Sequence, residues 1–246
     1  MKKALLIAVA LVLAVGFTAC QDEFTAIRNT GESKILEPMG SGSSPYFPYE
    51  EDRKWNYEAI WTFALDYPED IPIEDTSWAD TSTYVTEVIQ ETELTGSNPL
   101  SVWEIRTTPD SGEVVYSYAH IEPDSAYFYE KLSDSEPEAV FPSEPRKGDE
   151  WDITIEIDDT TTSTTHYRVI DDDAEANGFS NCLKIEVTPD YIEDYDEYQN
   201  LQYWAKGEGV VMTTLHALMR FVYDDDTTTS TFEGETRLIK GPGIEE

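Results

Sequence analysis

The side chains of this sequence best suited to chemistry are few and scattered. Its three histidines, His120, His166 and His216, lie far apart along the chain. Imidazole is the usual proton shuttle and metal ligand near neutral pH, yet none of the three sits in an H-E-x-x-H spacing. No C-x-x-C pair, G-x-S-x-G nucleophile elbow or phosphate-cradling glycine loop occurs either. Gly207-Glu208-Gly209 lacks the third glycine and the following helix that a dinucleotide loop needs. A hydrolase would therefore need folding alone to bring a histidine to a nucleophile or carboxylate. Three acid runs are the metal candidates: Asp171-Asp172-Asp173, Asp224-Asp225-Asp226, and the stretch from Asp190 through Asp194 and Asp196 to Glu197. Each can offer several oxygens to Ca²⁺, without the ligand order of an EF-hand. Solvated turns are the commoner use of such runs, and no other cofactor is expected. Tyr116, Tyr118 and His120 share one face of a predicted strand, and Tyr127 and Tyr129 share a face of the next. Stacking and cation–π contact there suit a glycan or a cationic protein, and cross-strand packing is the alternative use.

The cysteines carry the clearest chemistry. Lys2 and Lys3 precede an unbroken run of apolar or small residues from Ala4 to Phe17. As a helix that run reaches only about 21 Å, against roughly 30 Å for a bilayer core. A signal h-region fits it better than a membrane span. The run closes on Phe17-Thr18-Ala19-Cys20, which resembles a lipobox, where small residues precede a cysteine that is lipidated before cleavage. Cys20 is thus the expected lipid anchor, and a membrane is the expected partner through that lipid. Cys182, the other cysteine, then has no intramolecular partner, and its apolar setting predicts a buried structural thiol.

Charge narrows the remaining partners. The chain has 51 acidic and 16 basic residues, a formal charge of −35. Such a field repels nucleic acid and anionic lipid head groups and attracts cations or basic proteins. The same composition fits a high-salt habitat, where mobile ions screen self-repulsion. Six Trp and fifteen Tyr make the chain too aromatic for disorder.

The elements that must position these residues are predicted to be strands. Trp151 to Asp158 and Leu183 to Thr188 alternate apolar and polar residues, the mark of strands with one buried and one wet face. Further strands are predicted at 55–63, 84–93, 102–106, 114–121, 125–131, 165–170, 201–205, 210–215, 219–223 and 232–239, with 213–223 open to a short helix instead. Turn clusters at 108–112, 122–124 and 175–178 separate several of them. The expectation is a mainly all-β fold after an N-terminal signal helix: one large antiparallel curved sheet, half-barrel or sandwich, of about 10–12 strands. Residues 1–19 read as signal peptide and 20–45 as a flexible tether with a reach of about 28 Å. Residues 46–246 read as one β-rich domain, with a faint division into halves 46–139 and 140–246. That division rests on an echo. Phe47-Pro48 leads to Arg53-Lys54 and Trp55, and Phe141-Pro142 leads to Arg146-Lys147 and Trp151. Each tryptophan is expected to seal one end of the core. Gly207 and Gly209 are expected to bend a strand running from Tyr203 to Val211.

Several of these segments resemble a group of β-rich bacterial envelope lipoproteins with no assigned activity. Phe47-Pro48 with Trp55-Asn56-Tyr57 resembles their F-P-(spacer)-G-x-x-W-x-Y opening, here without its glycine. Tyr203-Trp204-Ala205-Lys206-Gly207-Glu208-Gly209-Val210-Val211 resembles their Y-[YF]-A-x-G-V-G-x-V segment, with Glu208 in place of an apolar residue. Asn177 to Leu183 is similar to their G-x-F-x-x-C-[LV] stretch. The resemblance implies a β-rich fold and an envelope location. Gln21 carries no Asp signal for inner-membrane retention, which favours the outer membrane. Asp22-Glu23 resembles the export signal of some surface lipoproteins of the Bacteroidota. The leading expectation is a non-enzymatic binding or structural module on a lipid tether. A carrier of a hydrophobic, lipid-like ligand in a sheet groove stands second, and a hydrolase third.

Overall fold

The computed structural model describes residues 42–67, 74, 76–95, 99–158, 161–190, 195–223 and 226–240. All regular structure among them is strand. In chain order these are β1 (Lys54–Asp66), β2 (Thr76–Glu93), β3 (Ser101–Pro109), β4 (Val115–Ile121), β5 (Ser125–Tyr129) and β6 (Ala139–Pro142). There follow β7 (Glu150–Asp158), β8 (Thr161–Ala176), β9 (Phe179–Pro189), β10 (Glu197–Ala205), β11 (Gly209–Tyr223) and β12 (Asp226–Lys240). The segment 213–223 is part of one continuous strand, β11, paired along its length with β12. A helix there would strand both ladders, so the helical alternative falls.

The twelve strands form one antiparallel meander, in the order β6-β5-β4-β3-β2-β1-β12-β11-β10-β9-β8-β7. β12 returns to pair with β1 from Asn56↔Lys240 to Asp66↔Thr229, so the sheet curls into a near-barrel and a two-sheet sandwich is excluded. Its free edges, β6 and β7, are consecutive in the chain. No ladder joins them; aromatic side chains fill the seam. Phe141 of β6 lies 6.2 Å from Trp151 of β7 and 5.6 Å from Tyr167 of β8, centroid to centroid.

Alternation decides what faces inward. In β7, Trp151, Ile153 and Ile155 are partly buried while Asp152 and Thr154 are exposed. In β9, Leu183, Ile185 and Val187 are buried between half-buried Lys184 and Glu186. Inward rings pair directly across strands, Tyr57 on Tyr84 at 4.9 Å and Trp151 on Tyr167 at 5.3 Å, an arrangement that adds to burial. The outer face carries charge. Glu58 holds Arg237 across β1 and β12, Glu186 holds Arg168 across β9 and β8, and Glu87 is clasped between Lys54 and Arg106. Ladders of that kind belong in water; a lipid-facing barrel needs an apolar outer band.

The chain before β1 enters the barrel. Gly42, Ser44 and Pro45, at the end of the expected tether, are bonded to the sheet. The Gly42 N–H donates to the Ile121 carbonyl and the Gly42 carbonyl accepts from Trp103 Nε1 at 2.9 Å; Ser44 Oγ donates to the Ser143 carbonyl; the Gly207 N–H donates to the Pro45 carbonyl. Tyr46 and Phe47 follow as buried core. Phe47 lies 5.3 Å from Trp204, 5.6 Å from Phe128 and 6.1 Å from Phe141. The two Phe-Pro phenylalanines of the sequence echo therefore meet inside one core.

The echo extends to backbone geometry. The Asp52 N–H bonds the Val88 carbonyl while Val88 N–H bonds Arg53. The Gly148 N–H bonds the Val169 carbonyl while Val169 N–H bonds Asp149. Gly148 has φ 93° and Asp52 has φ 64°. Asp52 thus supplies, in the left-handed region that aspartate tolerates, the conformation of the glycine missing from the first motif. Trp55 is buried with Val88, Cys182, Val211 and Leu238, whereas Trp151 lies at the seam.

Gly207 and Gly209 require a correction. They do not bend one strand. Ala205 pairs with Gly209, so residues 206–208 are the loop of the β10–β11 hairpin, with Gly207 at φ 83° and Gly209 at φ 79°. Positive φ is what tight hairpin loops demand and glycine meets most cheaply. The irregularity inside the strand falls earlier, as a register shift between Tyr203 and Trp204.

Candidate binding cavity

A cavity of about 270 Å³ remains inside the barrel. The arm forms one wall through Tyr46, Phe47 and Tyr49; β1 adds Trp55 and Tyr57; Trp204 of β10 and Phe128 of β5 complete the aromatic lining. Between the rings lie short polar side chains, Thr86, Thr107, Ser117, Thr213 and Thr236, and the amide of Gln202. Glu208, in the β10–β11 loop, is the only charged residue lining the cavity among the described residues, and it is 7% exposed.

The polar atoms of this wall are partly committed. The Tyr57 hydroxyl donates to the Val210 carbonyl at 3.0 Å, and Trp204 Nε1 donates to Gln202 Oε1 at 3.0 Å. Trp55 Nε1 is buried and has no hydrogen-bond partner, a costly state for a donor. Burial first, then the neighbouring Tyr49 and the negative charge of Glu208, push the Tyr57 phenol above its ordinary pKa. The hydroxyls of Tyr49 and Tyr84 are also raised, by burial foremost. These phenols stay neutral throughout the physiological range. The Arg53 guanidinium sits over the Trp55 ring at 5.3 Å, bonded to Glu50 and to the Gly207 carbonyl.

The other predicted candidates are dispersed. His120 is buried on β4, its Nδ1 2.8 Å from the Ser101 carbonyl and its Nε2 3.6 Å from Glu122. His166 on β8 pairs with Asp152 at 2.5 Å, and His216 on β11 lies beside Glu233 and Glu197. The three occupy separate strands, and none of these contacts is to a hydroxyl or thiol nucleophile. Tyr118 pairs with Tyr129 and His120 with Tyr127. Tyr118 and Tyr129 are buried with Leu94 and Val102, and Leu100 and Leu132 pack against them. Only Tyr116 of that group is largely exposed, at 43%. Tyr118 and Tyr129 are thus used in packing.

The described acids of the Ca²⁺ candidates do not converge. Asp171 binds Lys147 Nζ at 2.9 Å, and that bond foremost holds its carboxyl below the usual range. Asp172 and Asp173 are exposed beside it. Asp190 accepts from the Thr164 N–H at 3.0 Å and Asp196 from the Arg220 N–H at 2.7 Å. Asp226 opens β12. Cys20, Asp194, Asp224 and Asp225 lie outside the described residues. Among the described residues no group of three or more His, Cys, Asp or Glu is arranged to hold a metal ion. Cys182 is free and fully buried, and burial raises its thiol pKa; a thiol so placed is inert.

Sequence reasoning missed two parts of the cavity. Tyr46 to Tyr49 follow a Gly-Ser-rich segment that reads as tether, and nothing local announces contacts with Phe128 or Trp204. Glu208 did leave a signal: it is a carboxylate where the resembling lipoproteins carry an apolar residue. No protein-family model, curated protein or solved structure matches the chain.

Proposed function

We propose that the protein is a non-enzymatic binding module of the bacterial cell envelope, anchored by lipid on Cys20 and taking a small ligand inside its barrel. The cavity, partly open to solvent and with a mixed lining of rings, hydroxyls and one carboxylate, carries the binding half of this reading. A few convergent polar groups among aromatic walls are the usual make-up of a small-molecule site. The volume is just below the roughly 300–1,000 Å³ of drug-sized sites, which favours a compact ligand. The rings of Phe47 and Trp204 in the cavity wall pack against Phe141, which favours a compact ligand over a long acyl chain. Each histidine lies beside a carboxylate, but none of these contacts brings in a hydroxyl or thiol nucleophile, so they give a hydrolase little support.

The lipobox-like Phe17-Thr18-Ala19-Cys20 supports the anchor, and Gln21 favours the outer membrane, with the Asp22-Glu23 pair leaning towards its surface face. Two measurements test the proposal. Intact mass of membrane-extracted protein should equal the chain from Cys20 plus lipid, and Cys20→Ser should move the protein out of the membrane fraction. Solvent extraction of the purified native protein should release a compact small molecule in stoichiometric amount. An unlipidated mass would remove the anchor, and an empty extract would remove the binding role.

A further inference from the structure

We infer that the cavity takes a small neutral polyol of monosaccharide size. This rests on the cavity being the binding site proposed above. The strand register carries the inference. Gln202 of β10 pairs with Thr213 of β11, and Thr213 pairs with Thr236 of β12, so three polar side chains stand side by side in one row. On the other wall Thr86 of β2 pairs with Thr107 of β3, and Ser117 lies on the next strand, β4. All six line the cavity. Inward positions of a small barrel normally carry side chains that pack, and a hydroxyl there costs its hydration unless something bonds it. The Thr86 and Thr107 hydroxyls lie 3.3 Å apart and satisfy each other in part. Among the described residues the hydroxyls of Ser117, Thr213 and Thr236 bond no other group, and none of them is sealed from open space. Gln202 Oε1 accepts from Trp204 Nε1, which leaves its amide N–H groups as donors.

The rest of the wall sets the ligand's charge and shape. Among the described residues no Lys, Arg or His lines the cavity, and Glu208, the one carboxylate, already interacts within the chain. An ion of either sign would therefore lose its hydration without a free counter-charge to meet. A hydroxyl both donates and accepts, so a ligand bearing several can bond these side chains in turn. A compact apolar ligand would leave them unpaired. The rings of Phe47, Phe128 and Trp204 border the same space and can pack on the apolar C–H faces of a sugar ring.

The test uses the full chain in a detergent without a sugar head group, at fixed KCl. Titration calorimetry compares glucose, galactose, mannose and myo-inositol with cyclohexanol, which has one hydroxyl, and glucuronate, which is charged. The expected result is saturable one-to-one binding of one or more of the neutral polyols, with cyclohexanol and glucuronate at least tenfold weaker. Thr213→Val should weaken the bound polyol about fivefold, the worth of one hydrogen bond, and should not weaken cyclohexanol. Ser117→Ala gives the same readout from the opposite wall should Thr213→Val fail to fold. Cyclohexanol or glucuronate binding as tightly as the polyols would overturn the polyol assignment while leaving the cavity a binding site. Polyol binding that neither variant weakens would overturn it too. If no polyol of the panel gives heat, the compound released by solvent extraction decides. A neutral polyol there supports the assignment, and a charged or wholly apolar compound overturns the assignment alone. An empty extract overturns both readings.

Discussion

Replacing Phe47 with alanine removes the ring that joins the N-terminal arm to the barrel. Phe47 is 7% exposed and lies within 5.3–6.4 Å, centroid to centroid, of Trp204, Phe128, Phe141 and Tyr49. Truncation of a buried phenylalanine costs about 3–5 kcal/mol, and the cost grows with the void left behind. Here the void would join an existing cavity of about 270 Å³, and the surrounding rings belong to β5, β6 and β10, which the sheet holds apart. Collapse is therefore poor, and about 4 kcal/mol is expected. With a urea m-value near the upper end for small proteins, about 3 kcal/mol/M, the midpoint should fall by about 1.3 M. Tryptophan fluorescence and far-UV circular dichroism should give coincident transitions. Tyr116→Ala, at an exposed ring, is the control and should stay within about 0.5 kcal/mol of the parent. A loss below about 1 kcal/mol for Phe47→Ala would refute the arm as core, because a ring on a mere tether has little to lose.

Four further outcomes follow from individual contacts. A Cβ added at Gly234 would fall 2.0 Å from the Trp61 ring; Gly234→Ala should cost about 1–3 kcal/mol, and Trp61→Ala in the same chain should abolish most of that increment in a double-mutant cycle. At Asp52, with its positive φ, valine should lower stability by about 1–2 kcal/mol in thermal melts while glycine stays near the parent. Glu87 is held below the ordinary carboxylate pKa, foremost by its bond to Lys54 and opposed by burial. Its contribution is therefore full above the unfolded value of about 4.3 and is lost as pH falls through the lower folded value; urea midpoints of the parent and Glu87→Gln should differ at neutral pH and converge in acid. With a formal charge of −35, the melting temperature should climb steadily from low to molar KCl, and a flat profile would dismiss salt adaptation as the reason for the acidity.

Strands with one wet face were legible because their residues alternate. Trp151 to Asp158 and Leu183 to Thr188 show it plainly, and Asn177-Gly178, both at positive φ, announced the β8–β9 turn. β6 was not legible: four residues ending in proline at a sheet edge carry no period. The second half of β8 was hidden for another reason. Its ladder with β9 shifts register three times between Val169 and Ala176, so Asp171-Asp172-Asp173 breaks the alternation and reads as an acid cluster. The β10–β11 hairpin was obscured because Trp204-Ala205 and Val210-Val211 are apolar on both sides of the loop. The cavity was least legible of all. Its walls come from the arm and eight strands, and local pattern carries no information about which distant strands the meander brings together. Glu208 stood out only as an oddity between two glycines.

Native mass spectrometry of the protein released intact from membranes, compared with Ser117→Phe, tests binding inside the barrel most directly. Ser117 lines the cavity, and a phenyl group there would fill it at about 1–3 kcal/mol of packing cost, which a melt can monitor. A one-to-one small-molecule adduct on the parent that vanishes from a folded Ser117→Phe variant is the predicted result. The same adduct on both proteins, or none on the parent, would contradict the cavity as the site of function.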